Sequence, residues 1–103
     1  MNKYMLAYHG GGMPDTPEEG AKVMKAWNDW YGSLGDRLAD GGGPLGRSMT
    51  VGSKGVEEGG GPNPLSGYTV VNADSHEAAN EIAKGCPILS DGGTVEVCEI
   101  LEM

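Results

Sequence analysis

Ser66-Gly67-Tyr68-Thr69-Val70-Val71-Asn72-Ala73-Asp74-Ser75-His76-Glu77-Ala78-Ala79, resumed a little further on by Gly93-Thr94-Val95-Glu96-Val97, is the stretch that decides the fold. Tyr68, Val70 and Asn72 alternate with Thr69, Val71 and Ala73, which is the period of a strand with two usable faces. Asp74-Ser75-His76-Glu77 has the form of a capping box, with Asp74 as the cap and Glu77 three residues on. Ala78, Ala79, Ile82 and Ala83 then recur at helical spacing as a narrow stripe of small residues, which lets a helix sit close to a sheet. Gly85 ends that helix and Pro87 keeps it from resuming. Gly92-Gly93 turns the chain into a last strand over 94–103, with Val95, Val97 and Leu101 on one face and Cys98 and Ile100 on the other.

Upstream, residues 3–9 place Tyr4, Leu6 and Tyr8 on one face and Met5, Ala7 and His9 on the other. Both faces are largely apolar, the pattern of a strand covered on two sides. Thr16-Pro17-Glu18-Glu19 is a strong helix start: a hydroxyl for the free amides, proline at the first helical position and a glutamate completing a capping box. Met24, Trp27, Tyr31, Leu34 and Leu38 form its apolar stripe, widened by Val23 and Trp30, and Gly41-Gly42-Gly43-Pro44 is expected to stop the helix near Asp40. A short second strand is expected at 47–51, near a sheet edge. Residues 52–66, rich in glycine, proline and acid, are expected to be a mobile loop, loosest at 57–64.

The order β-α-β-β-α-β predicts a single α+β domain over 1–103, a ferredoxin-like split βαβ layer in which a four-stranded antiparallel sheet carries both helices on one face. No helix is left for the second face. A second copy of the chain is its expected cover, giving a homodimeric α+β barrel.

Composition bounds the partners. Seven basic residues against fifteen acidic give a net charge of −8 over 103 residues. That charge repels phosphate backbones and anionic lipid, so neither nucleic acid nor membrane is an expected partner. No apolar run reaches the ~20 residues a bilayer span needs, and the opening residues turn polar too soon for a signal peptide. The expected location is cytoplasmic. Two cysteines, Cys86 and Cys98, fall in different elements and read as reduced thiols rather than a disulfide framework.

Few motifs carry chemistry. Gly41-Gly42-Gly43-Pro44-Leu45-Gly46 matches GxGxxG as text, but it follows a helix and contains proline, whereas a dinucleotide fingerprint leaves a strand and opens a helix. No cofactor is expected. His9, Asp15, His76, Cys86 and Cys98 have no metal-ligand spacing, so no metal is expected either. Asp74 reads as a cap or as a catalytic carboxylate; His9, at a strand end beside glycines, as a solvated end residue or a proton-transfer group. Trp27 and Trp30 read as core or as walls of a cleft between the first helix and the sheet, with Tyr8 beside them.

Lys3-Tyr4-Met5-Leu6, Trp27-Asn28-Asp29-Trp30 to Leu34, Gly67-Tyr68, the Asp74 helix start, Cys86-Pro87 and Thr94-Val95-Glu96-Val97, in that order, resemble the YCII-related family, which includes the domains named for an Asp-Gly-Pro-Phe signature. The resemblance spans nearly the whole chain and implies a ferredoxin-like dimeric α+β barrel. It also implies relatives with dehydrochlorinase activity on chlorinated hydroquinones or fused to sigma-factor-like regulators, and a His-Asp active-site pair. Asp74 stands at that aspartate, Trp30 at the histidine, and the chain, which has no phenylalanine, lacks the Asp-Gly-Pro-Phe tetrapeptide.

The sequence therefore leaves two expectations open. One is a homodimer binding a small molecule, aromatic ones included, in a helix-sheet pocket of Trp27, Trp30 and Tyr8, with Asp74 and His9 as the polar ends or as an acid-base pair for lyase-type chemistry. The other is a non-catalytic regulatory or interaction module that contacts a partner through residues 52–66. Whether the protein is an enzyme is not decided by its sequence.

Overall fold

The structure is a computed structural model that describes residues 2–12 and 15–102. In chain order it runs β1 (Asn2–His9), α1 (Pro17–Leu34), β2 (Leu38–Pro44), β3 (Met49–Gly52), β4 (Gly55–Glu58), β5 (Leu65–Ala73), α2 (His76–Lys84) and β6 (Thr94–Glu99), with short 3₁₀ turns at Gly35–Arg37 and Pro87–Asp91. The main sheet has the order β2-β5-β1-β6 with every neighbouring pair antiparallel, which is the ferredoxin-like arrangement. β3 and β4 form a separate two-stranded hairpin.

β1 holds the sheet together. Tyr4, Leu6 and Tyr8 pair with Val71, Thr69 and Gly67 of β5 on one side and with Glu99, Val97 and Val95 of β6 on the other. Tyr4, Leu6, Tyr8, Val71 and Ala73 are buried with Trp30 and Leu34 of α1 and Ala79, Ile82 and Ala83 of α2. One core thus lies between the helices and one sheet face.

The other face carries Met5, Ala7 and His9 of β1, Tyr68, Val70 and Asn72 of β5, and Glu96 and Cys98 of β6. Neither helix reaches it. Met5, Tyr68, Val70 and Cys98 are half-buried, while Ala7 is shadowed by its ladder partners Tyr68 and Glu96.

Three expectations about the middle of the chain are corrected. α1 ends at Leu34 rather than Asp40, because Gly35 turns to φ 55° and breaks the helix. Leu38 accordingly opens a strand instead of extending the helical stripe, and Met24 lies exposed on the overhanging first half of α1. The second strand of the main sheet is Leu38–Pro44, not 47–51: the triple glycine is an edge strand, irregular in register, against β5. Residues 49–58, expected as strand and loop, form the β3-β4 hairpin. The last strand closes at Glu99, short of the expected end at Met103, which lies outside the described residues.

Glycine is required in β2 at one point. Gly42 adopts φ 61°, and a Cβ there would fall onto the carbonyl oxygen of Tyr68. At Gly41 a Cβ would meet nothing within 4 Å. Gly42→Ala is expected to lose more than ~1 kcal/mol of stability, against ~0.5 kcal/mol or less for Gly41→Ala, both read from chemical denaturation midpoints.

α2 is capped by Ser75, whose hydroxyl accepts from the Ala78 amide at 3.1 Å, so the expected capping box is shifted by one residue and Asp74 lies outside the helix. Ser75→Ala should cost ~1 kcal/mol in the same measurement. Asp74→Asn should cost ~0.5 kcal/mol or less.

Candidate functional site

On the helix side, three of the expected ligand-binding residues come together. Tyr8 projects from β1 against Trp27 of α1, edge to face at 5.3 Å between ring centres. Trp27 meets Trp30 at 5.8 Å and Tyr31 at 5.8 Å, and Trp30 meets Tyr31 at 5.5 Å. The i, i+3 and i, i+4 spacing of these residues on one helix brings the rings together over the strand. Tyr8 and Trp30 are buried, while Trp27 and Tyr31 keep part of their surface in solvent.

The polar atoms of this cluster are already engaged. Tyr8 donates its hydroxyl to Thr69 Oγ1 at 2.6 Å, and both Thr69 and Tyr31 donate to the Gly41 carbonyl at 3.3 Å. Burial holds the Tyr8 phenol far above the ordinary tyrosine range, against the opposing pull of the Thr69 hydrogen bond. Burial likewise pushes up the thiol of Cys86, which sits beside it, opposed by hydrogen bonds from the Ile88 backbone and Tyr8. Phenol and thiol are neutral at physiological pH, so this wall offers surface and dipoles but no ready base or nucleophile.

His9 belongs to the opposite face. It closes β1 with 8% of its surface exposed. Nδ1 lies 3.0 Å from the Asn63 carbonyl and 3.2 Å from that of Pro64, and Nε2 lies 3.0 Å from Glu96 Oε1. All these partners are acceptors, an arrangement that favours the ring carrying a proton on both nitrogens. Its pKa is raised, chiefly by the Glu96 hydrogen bond and further by the Pro64 and Asn63 carbonyls, with burial opposing. Cys98 lies beside the same carboxylate, 3.9 Å from Glu96 Oε2, and its thiol is pushed up by burial first and then by Glu96.

Asp74 does not join His9. It is exposed and follows Ala73, which pairs with Asn2 at one end of β1, whereas His9 is at the other end. Seven residue steps of about 3.3 Å separate the two ends by roughly 23 Å. Within one chain the carboxylate beside His9 is Glu96. The signal for it was the alternation of Gly93–Val97, which puts Glu96 on the face opposite Val95 and Val97; only the β1-β6 pairing brings it to the histidine.

The remaining expected features are placed as follows. His76 is exposed, lies tilted against Tyr4 at 5.4 Å between ring centres and is 3.1 Å from the Val97 carbonyl, to which its Nε2 donates. Cys86 and Cys98 are free thiols on opposite sides of the sheet. Among the described residues no three His, Cys, Asp or Glu side chains are grouped to hold a metal ion, and no helix is long and apolar enough to cross a membrane.

A ferredoxin-like sheet with an aromatic cluster under one helix and a half-open His-Glu pair on its bare face defines a small α+β domain. The chain belongs to the YCII-related domain family, whose model matches residues 3–103. No curated protein matches it.

The His9 pair sets a pH dependence. A group whose pKa is raised by folding stabilises the fold fully below its unfolded value, near 6.5, and ceases to do so as pH climbs through the folded value. The melting temperature of the wild type should therefore fall on going from about pH 6.5 into the alkaline range, and His9→Gln should flatten that fall. In an NMR titration His9 should titrate above its ordinary value and Glu96→Gln should bring it down; titration at or below the ordinary value in the wild type would contradict the geometry.

Proposed function

We propose that this protein is a cytoplasmic homodimer that binds a small, flat, uncharged molecule against the Tyr8-Trp27-Trp30-Tyr31 cluster. The observation that carries the binding reading is the convergence of four aromatic rings, two of them partly open, around polar atoms that are neutral and hydrogen-bonded. An aromatic ligand gains stacking surface there without having to compensate a buried charge. The uncovered sheet face supports the dimer: its half-buried apolar side chains Met5, Tyr68, Val70 and Cys98 gain a dry environment against an identical face. Two free thiols fit a reducing compartment.

Acid-base chemistry of the lyase type has a weaker basis. His9 and Asp74 stand far apart in one chain, and both His9 ring nitrogens are already engaged with acceptor atoms. Any such chemistry would fall to His9 with Glu96, as acid and carboxylate, and not to an Asp74 pair. The exposed β3-β4 hairpin favours a second reading, as a module that makes its contacts through this segment.

Two measurements test the proposal. Tryptophan fluorescence titrated with indole, hydroquinone and benzoate should respond to the two neutral rings and not to the anion. Trp27→Ala should weaken the response at least tenfold; a wild type indifferent to both neutral rings would overturn the binding reading. Sedimentation at micromolar concentration should give a dimer, and Val70→Glu should give a monomer.

A further inference from the structure

The hairpin β3-β4 stands apart from everything else in the molecule. Each residue of its two strands is exposed. It makes the chain broad and thin, 44 × 43 × 18 Å, with a radius of gyration of 14.9 Å where a compact chain of this length has about 13 Å. A lone two-stranded ribbon is marginally stable in water. This one is nevertheless well specified, with four ladder pairs from Met49↔Glu58 to Gly52↔Gly55, an Arg47–Glu58 ion pair and a hydrogen bond from the Thr50 hydroxyl to the Gly59 carbonyl at 2.7 Å.

Its two faces differ in chemistry. Thr50 and Glu57 make up one. On the other, Val51 sits directly across from Val56, and Met49, two residues along, lies across from Glu58, which is paired with Arg47; Val51, Val56 and Met49 are 76%, 58% and 50% exposed. Three apolar side chains displayed together on a ribbon mark a contact surface.

Three observations say what covers it. The first is position: the ribbon leaves β2 at Pro44 and returns into β5 at Leu65, and its returning leg is clasped at Asn63 and Pro64 by His9, on the sheet face that no helix covers. Its base is therefore tethered beside that face. The second is area: four strands about 4.8 Å apart, paired over about six residues, give a face of roughly 400 Å², while a stable specific interface takes about 800 Å² from each partner. Much of the face is already shadowed, with Ala7 and His9 buried and its other apolar residues half-buried. The third is charge: residues 47–58 hold Arg47 and Lys54 against Glu57 and Glu58, a balance of zero in a chain of net −8. Two copies of so acidic a chain meet with least repulsion through a neutral segment.

We propose that Met49–Glu58 is a dimerisation arm whose Met49-Val51-Val56 face packs on a second copy of this chain, extending the sheet-to-sheet contact. This rests on the homodimer reading above and adds to it the segment that brings the interface to a stable size.

The test is the dimer dissociation constant by analytical ultracentrifugation for the wild type, for Val51→Thr/Val56→Thr, for Val51→Glu/Val56→Glu and for Val70→Glu, with thermal melts to confirm folding. The threonine pair keeps strand-forming side chains and removes only apolar surface. The arm requires a dimeric wild type whose dissociation constant rises at least tenfold in the threonine pair and further in the glutamate pair. A dimeric wild type unchanged by both arm variants but dissociated by Val70→Glu would overturn the arm and leave the dimer standing. Dissociation by the arm variants alone would keep the arm and remove the sheet-face contact, and a monomeric wild type would overturn both.

Discussion

Two crossovers that each carry a helix to the same side of a four-stranded sheet leave the sheet with one dry face and one without cover, and the rest of this molecule is an answer to that asymmetry. β1, paired on both edges, has to serve the two environments at once. Its even-numbered residues Tyr4, Leu6 and Tyr8 supply the core, and its odd-numbered residues Met5, Ala7 and His9 supply the bare face. A one-residue slip of β1 would exchange the two sets, moving the His9 imidazole into the core and three core side chains out of it. The position of His9 in a carboxylate and carbonyl cage is thus also a lock on register.

The strands and helix legible in the sequence were those with alternation or helical spacing in their side chains. β1, β5 and α2 fall where the residue pattern put them, and β6 begins there, because burial on one face selects the pattern. β2 was invisible for a physical reason: Gly41-Gly42-Gly43 has no side chains to alternate, and it forms an edge strand because the Gly42 backbone can press against Tyr68 where no Cβ would fit. The hairpin was hidden by its glycine- and acid-rich surroundings, although Val51 and Val56 were present as its only cross-strand apolar pair. The helical part of the aromatic cluster was legible from the spacing of Trp27, Trp30 and Tyr31, and Tyr8 from the alternation of β1. The His9-Glu96 pair was not, since it depends on which strands become neighbours, and the same topology keeps Asp74 from His9 within one chain: a residue at the end of β5 is carried to the far end of β1.

Charge separates the two sides further. The helix side buries Tyr8 and Cys86 as neutral groups, and the hydroxyl row Tyr8-Thr69, ending with Tyr31 at the Gly41 carbonyl, uses up its polar capacity internally. The bare face sets the His9 imidazole, its pKa raised, against Glu96, whose side chain is 63% exposed. A half-open ion pair of this kind contributes little by Coulomb attraction alone, because water screens the carboxylate. Most of its structural effect comes from geometry, in that one ring fixes β6 on one nitrogen and the returning leg of the hairpin on the other.

That geometry links the bare face to the hairpin. If the ring lost its proton, one of its two nitrogens would face an acceptor without a hydrogen to give, and either Glu96 or the Asn63–Pro64 leg would be released. Release of Glu96 costs little, since water takes over an exposed carboxylate. Release of the leg frees the base of a ribbon that has no other hold on the sheet among the described hydrogen bonds beyond the Leu45 amide on the Ser66 carbonyl. The competition therefore favours keeping the carbonyl bonds and letting the carboxylate go, so that at alkaline pH the returning leg stays tethered while Glu96 turns to solvent. The histidine acts first as the anchor of the hairpin and only second as the partner of an acid, which is why its position at the strand end, rather than its titration, is the feature a functional interface would depend on.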